Sequence, residues 1–127
     1  MTVTSTGMTT AMQGLQRALE APRRPGVPLG AWRWGVRQRM AAVRDALVAE
    51  TGHGGEGWLA AREVGVLRER NMLLARLSAL GPDVLENPDV DEVRLDLHRL
   101  LVDIGHHVQR IHDLAYDEVE LELGGSE

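Results

Sequence analysis

The chain has no cysteine and no lysine, and it contains few aromatic side chains. Without cysteine it can form neither disulfides nor thiolate–metal bonds, and it has no cysteine nucleophile. Its aromatic residues are Trp32, Trp34, Trp58 and Tyr116. The core must therefore be built from Leu, Val, Ala and Met. These residues suit helix packing better than sheets, which favour aromatic and β-branched side chains.

Long apolar runs and targeting signals are also missing. No stretch approaches the roughly 18 consecutive apolar residues that a membrane span needs. Residues 1–7 lack the basic and apolar segments of a signal peptide. We expect them to form a disordered leader and the protein to be cytoplasmic. All basic residues are Arg, beside abundant Ala, Gly, Val and Leu, which is typical of a GC-rich bacterial genome.

The charge is distributed unevenly around a net value of −5. Residues 1–50 hold seven arginines against three acids, whereas residues 83–127 hold three arginines against thirteen acids. An acidic chain is a poor candidate for general nucleic-acid binding, which needs a net basic footprint. We expect the basic second helix to pack beside the acidic fourth helix of the same molecule.

Four segments carry apolar residues at the spacing of an amphipathic helix. They span 8–20, 29–51, 57–80 and 87–123. The fourth has the clearest start, with Asn87 as N-cap and Pro88 at the first helical position. Short connections rich in glycine and proline make consecutive helices antiparallel neighbours. The sequence therefore predicts an all-α fold, an up-down-up-down four-helix bundle over 8–123. Its first helix is short, its fourth is longest, and a polar tail follows at 124–127.

Two of these segments resemble a known family. Residues 66–77 (VLRERNMLLARL) and 100–109 (LLVDIGHHVQ) are similar to the third and fourth helices of hemerythrin-like, or HHE cation-binding, domains. The resemblance implies a di-iron centre inside the bundle, with histidine and carboxylate ligands from all four helices, and oxygen binding or redox sensing. His107 matches the family's histidine on the last helix, whereas Asn71 stands near the family's histidine position on the third.

The ligand pattern that the resemblance implies is incomplete, because the first three helical segments contain no histidine. We therefore expect no metal and no other cofactor. The alternative is a residual iron site built from Glu63, His107 and Asp103. Asp103 precedes His107 by four residues, so the two could also pair along the helix surface.

A polar layer is predicted inside the bundle, with Glu63, His107 and Asn71 as its candidate members. Counting outward from a loop near residues 81–87 places Leu80 level with Asp91, and His107 level with Glu63 and the three residues after it. The free-energy cost of burying a carboxylate or an imidazole is smaller when the two groups contact each other. We therefore expect a contact between Glu63 and His107, direct or through one water, that fixes the helix register.

The sequence contains no activated nucleophile and no glycine-rich phosphate loop, so we do not expect an enzyme. We predict a small non-catalytic helical-bundle protein that acts through protein–protein interaction or self-association, as a homodimer or with a protein partner. Neither nucleic acid nor membrane is expected as a partner. The alternative is a divergent hemerythrin-like protein that binds iron or dioxygen or senses redox state. The pattern leaves the partner, the pathway and the oligomeric state open.

Overall fold

The computed structural model describes the backbone of residues 2–20, 26, 28–49 and 58–125, and the side chains of 7–20, 26, 28–49, 64–114 and 116. The described backbone forms four helices and no strand, which confirms the predicted all-α class. They are α1 (Thr2–Glu20), α2 (Leu29–Val48), α3 (Trp58–Glu86) and α4 (Val90–Gly125). The fourth helix is the longest, with 36 residues, and the first is the shortest, with 19.

The helices close into a ring in which each contacts the one before and the one after it, and α4 contacts α1. This is the predicted four-helix bundle. Across the described residues, no Cα atom of α2 comes within 8 Å of α4. The prediction that the basic α2 packs beside the acidic α4 was wrong, because the second and fourth members of such a ring lie on its diagonal.

The core is formed by the apolar stripes that the sequence shows. Its members recur three and four residues apart along each helix, which keeps them on one face. They include Met8, Leu15 and Leu19 from α1; Val36, Met40, Val43 and Leu47 from α2; Leu73, Leu77 and Val84 from α3; and Val93, Leu97, Leu100, Ile104 and Leu114 from α4. Trp32 joins α2 to α1, since its indole N–H donates to the carbonyl of Ala18 at 2.9 Å. Among the described side chains, the buried polar ones are Arg33 and His107.

Helix α3 continues past Gly81 and Pro82, where the sequence predicts its end. A proline inside a helix costs about 3 kcal/mol, because it has no N–H for the preceding turn. The extra turn buries Val84 completely, and its carbonyl accepts a hydrogen bond from Nη1 of Arg33 at 2.8 Å. Burial of a valine and a hydrogen bond from a charged group contribute about 1.5–3 kcal/mol each, which offsets the proline.

The other helix ends also differ from the predicted ones. Helix α1 begins at Thr2, inside the predicted leader, and α4 continues to Gly125, inside the predicted tail. The N-cap of α4 is Asp89, whose Oδ1 accepts the N–H of Glu92 at 3.1 Å. The predicted cap, Asn87, lies two residues before Asp89, and its side-chain oxygen accepts the N–H of Asp89 at 2.8 Å. None of the helices, over the described residues, has the length and apolarity needed to cross a membrane.

Candidate functional site

His107 is the buried polar residue of α4, with a fully covered side chain. It follows Ile104 by three residues in the apolar stripe, so the helix itself directs the imidazole into the bundle. Its Nδ1 lies 2.6 Å from Oε1 of Glu69, which projects from the flank of α3 that faces α4. The sequence predicts that His107 meets an inward carboxylate of α3, and Glu69 is such a carboxylate. The predicted contact with Glu63 lies outside the described residues.

Glu69 is held by two groups of α4. Nε of Arg110 donates to Oε1 at 2.9 Å, and Nη2 of the same guanidinium donates to Oε2. Arg110 follows His107 by three residues, which places both on the same flank of α4. The carboxylate therefore binds a buried imidazole on its inner side and a half-exposed guanidinium on its outer side.

The environment of Glu69 determines its charge. Burial acts to raise the pKa of this carboxyl, but the hydrogen bonds from Arg110 and His107 outweigh burial, so the pKa lies below its ordinary value. The carboxylate in turn raises the pKa of Arg110. An ionised carboxylate only accepts hydrogen bonds, so the proton between Glu69 and His107 sits on Nδ1 of the imidazole.

The described partner of His107, Glu69, lies further along α3 than the predicted Glu63, because α3 is longer than expected. Extending α3 to Glu86 and starting α4 at Val90 moves the centre of the turn along the chain. The residue opposite His107 then moves by about five positions along α3, or roughly 7 Å. Glu69 lies near this level, whereas the side chain of Glu63, and with it the predicted contact, lies outside the described residues.

The remaining predicted site residues do not join this contact. Asn71 is exposed and is not part of a buried layer. Asp103 is half-buried and accepts a hydrogen bond from Nη1 of Arg76 at 2.6 Å. Arg76 and Glu69 are seven residues apart on α3, so the two ion pairs follow one flank between α3 and α4.

The side chains around His107 do not fit the di-iron centre that the family resemblance implies. Such a centre needs carboxylates and imidazoles from all four helices. The described core residues of α1 are apolar, and those of α2 are apolar apart from Arg33. Both oxygens of Glu69 accept hydrogen bonds from the guanidinium of Arg110, which would repel a cation. The imidazole is enclosed in the core and lacks the access that a general base needs to reach a substrate.

An acidic group that the sequence analysis missed lies at the turn between α3 and α4. Oxygens of Asp83, Glu92 and Asp96 lie within 4.8 Å of one another. The amide nitrogen of Asn87 donates to Asp83 at 3.1 Å and to Glu92 at 3.2 Å. The amide therefore bridges two of the carboxylates and reduces their mutual repulsion. The group depends on the extra turn of α3, which is why a helix ending at Leu80 did not reveal it.

The outer groove between α2 and α3 is the main apolar and basic surface that the sequence analysis did not identify. We define the α2–α3 groove by Trp34, Arg37, Arg44 and Val48 on α2 and by Leu67 and Leu85 on α3. Trp34 is 58% exposed and Val48 is 55% exposed. Leu67 and Leu85 are 37% and 40% exposed. These are large apolar side chains open to solvent on two neighbouring helices.

Contacts between the two helices fix where these side chains lie. Nε of Arg37 is 3.2 Å from the position a Cβ would take on Gly81, so Arg37 marks the flank of α2 that faces α3. Arg44 and Val48 follow Arg37 by seven and eleven residues, two and three helical turns, on the same flank. Leu85 follows Gly81 by one turn, and Leu67 precedes Leu85 by five turns.

The groove has apolar side chains at each end and arginines between them. The bond from Arg33 to Val84 places the neighbouring residues Trp34 and Leu85 at the same level along the bundle, with Trp34 about 100° around α2 from Arg33, towards the outer surface. The antiparallel register then brings Val48 level with Leu67 at the other end, about 21 Å away. The Arg44 side chain is 64% exposed and lies 3.7 Å from Asp45, an exposed pair of small energetic weight.

Comparison of the chain with known protein families, with curated proteins and with solved structures gives no significant match. The resemblance of residues 66–77 and 100–109 to hemerythrin-like domains therefore stays a prediction from the sequence.

Proposed function

We propose that this chain is a non-catalytic interaction module that binds an acidic amphipathic helix in the α2–α3 groove. The observation that carries the proposal is the groove itself, with Trp34 and Leu85 exposed at one end and Val48 and Leu67 at the other. Amphipathic helices bind to apolar grooves through side chains spaced one and two turns apart. An exposed tryptophan is the residue type that most often anchors such a contact.

The charge of the groove selects the partner. Arg37 and Arg44 lie between the apolar ends, and the described residues of the α3 side of the groove contribute no acid there. A partner helix with carboxylates beside its apolar stripe would place them near these guanidinium groups. Such pairing raises the association rate and excludes basic helices more than it adds affinity.

The buried polar contact supports a structural role for the interior. Glu69 joins His107 to Arg110, so one carboxylate of α3 binds two groups of α4. A single satisfied polar contact in an apolar core favours one helix register over others. A fixed register keeps α3 and α4 at a constant position relative to each other.

The proposal is tested with a synthetic helical peptide that carries leucines at i, i+3 and i+7 and glutamates elsewhere. Binding should shift the fluorescence emission of Trp34 to shorter wavelength, because the peptide removes its indole from water. Measured by isothermal titration calorimetry, Trp34→Ser should weaken binding about tenfold or more, the effect of losing an anchor worth about 1.4 kcal/mol. A matched peptide with lysines in place of the glutamates should not bind.

A control variant separates the groove from the rest of the surface. Met72 is exposed on α3, on the opposite flank from Leu67. Met72→Ser should leave binding of the glutamate peptide unchanged. Equal binding of both peptides, or equal loss in Met72→Ser and Trp34→Ser, would contradict the proposal.

A further inference from the structure

The α2–α3 groove carries positive charge that α3 does not neutralise. Residues 70–82, the stretch of α3 opposite Arg37 and Arg44, contain no acid. The carboxylate beside Arg44 is that of Asp45 on the same helix, 3.7 Å away, and 76% of the Asp45 side chain is exposed. Solvent screens an exposed pair of this kind, so the pair is weak. The two guanidinium groups can therefore bind an anion from outside the chain.

The flank between α3 and α4 has the opposite arrangement. There Arg76 binds Asp103, and Arg110 binds Glu69, so each of these arginines has a carboxylate partner on the facing helix. The excess of positive charge is therefore a property of the α2–α3 groove and not of the whole bundle surface.

Arg37 and Arg44 are placed so that they can bind one group together. They are seven residues, or about 10.5 Å, apart on one flank of α2, within the combined reach of two extended arginine side chains. Nε and Nη2 of Arg37 lie 3.2 and 3.3 Å from the position of a Cβ on Gly81, so this guanidinium packs against the α3 backbone. Ser78 precedes Leu85 by two turns on the flank that faces α2, and its side chain is exposed. A hydroxyl donor therefore lies between the levels of the two arginines.

Two guanidinium groups and a hydroxyl match a phosphate better than a carboxylate. A carboxylate has two oxygens, and one guanidinium can bind both of them, as Arg110 does with Glu69. A phosphate monoester presents three strong acceptor oxygens and carries about −1.5 to −2 charges at neutral pH. It can therefore accept hydrogen bonds from two guanidinium groups at once, and arginine clusters commonly recognise phosphorylated segments in this way.

We propose that the partner helix of the α2–α3 groove carries a phosphorylated serine that binds between Arg37 and Arg44. The exposed apolar side chains at the two ends of the groove hold the leucines of that helix on either side of the phosphate. Phosphorylation of the partner then raises its affinity, because an unmodified serine leaves both guanidinium groups without an anion. This inference rests on the proposed function, and it names the modification that regulates partner binding.

The test compares three synthetic peptides by isothermal titration calorimetry. In the peptide with leucines at i, i+3 and i+7, position i+4 lies on the same face and carries phosphoserine, glutamate or serine. At about pH 7.5 the phosphoserine peptide should bind at least about fivefold more tightly than the glutamate peptide, and the serine peptide should bind least tightly. The advantage of phosphoserine should shrink towards about pH 5.5, because the second phosphate pKa is about 6.

Substitutions in the chain locate the phosphate. Arg37→Gln and Arg44→Gln should each reduce the ratio between the phosphoserine and glutamate affinities to less than about twofold. Arg44→Lys keeps the charge but not the paired donors, so it should retain only part of the ratio. Arg17→Gln, an exposed change on α1, should leave the ratio unchanged. Circular dichroism verifies that each variant is folded.

The outcomes separate this inference from the function on which it rests. A glutamate peptide that binds at Trp34, with no tighter binding of the phosphoserine peptide, would overturn the phosphate site and keep the interaction module. A phosphoserine advantage that survives both Arg37→Gln and Arg44→Gln would also overturn the inference, because the phosphate would lie elsewhere. A chain that binds none of the peptides would overturn both.

Discussion

Replacing Glu69 or His107 should affect stability very differently, although the two residues share one hydrogen bond. Glu69→Ala removes the acceptor and leaves the imidazole of His107 in the core without it. Losing the partner of a buried polar group costs about 1–3 kcal/mol, and losing the half-exposed pair with Arg110 costs about 0–1 kcal/mol more. We expect Glu69→Ala to lower the free energy of unfolding by about 1–4 kcal/mol.

His107→Leu removes the buried group instead. Glu69 then keeps Arg110 and part of its hydration, since its side chain is 29% exposed. The new leucine joins an apolar stripe, so we expect a change of less than about 1 kcal/mol. The double variant should be close to His107→Leu, with a coupling energy of about 1 kcal/mol or more.

Urea unfolding followed by far-ultraviolet circular dichroism measures these free energies. The reasoning fails if His107→Leu costs as much as Glu69→Ala. That result would mean that the imidazole stabilises the core mainly through contacts other than Glu69. It also fails if the two changes are additive, because a shared hydrogen bond requires coupling.

Three further changes test other parts of the structure. The pKa of Glu69 is lower in the folded chain than in the unfolded one. Glu69 therefore stabilises the folded chain above about pH 4.3, and this stabilisation is lost as the pH falls through the folded-state pKa. Urea unfolding across this pH range should show that the free energy of unfolding falls more steeply with decreasing pH in wild type than in Glu69→Gln. Parallel pH dependences in the two proteins would contradict this prediction. Arg33→Met should cost about 1–3 kcal/mol in the same assay, since the buried carbonyl of Val84 loses its donor, whereas Arg44→Met should cost less than about 0.5 kcal/mol. Gly81→Ala should raise the melting temperature, because alanine is more stable in a helix by up to about 1 kcal/mol and its Cβ would meet only the end of the flexible Arg37 side chain. A lower melting temperature would show that Arg37 cannot move aside.

The helices and their inward faces could be predicted from the sequence, because burial of an apolar stripe is a local pattern. Val36, Met40, Val43 and Leu47 show a helical period and are all buried. The end of α3 could not be predicted this way. Gly81 and Pro82 are a local stop signal, and the burial of Val84 against α2 overrides it.

The candidate site was predicted in part for the same reason. His107 belongs to a local stripe, so its burial could be predicted. Its contact with Glu69 depends on the register between two helices, which could not be predicted because α3 ends six residues beyond the expected Leu80. The groove was missed because Trp34 and Leu85 are far apart in sequence and come together only when α2 and α3 pack side by side.

The most direct test of the proposed function is a two-dimensional nitrogen–proton NMR titration of the chain with the glutamate peptide. Under the proposal, the largest shifts fall on the indole N–H of Trp34, the guanidinium N–H groups of Arg37 and Arg44, and the amide of Leu85. The Met72 amide and the buried indole of Trp32 should change little. Shifts concentrated instead around Met72 and Val102, on the α3–α4 side of the bundle, or no shifts at all, would contradict it.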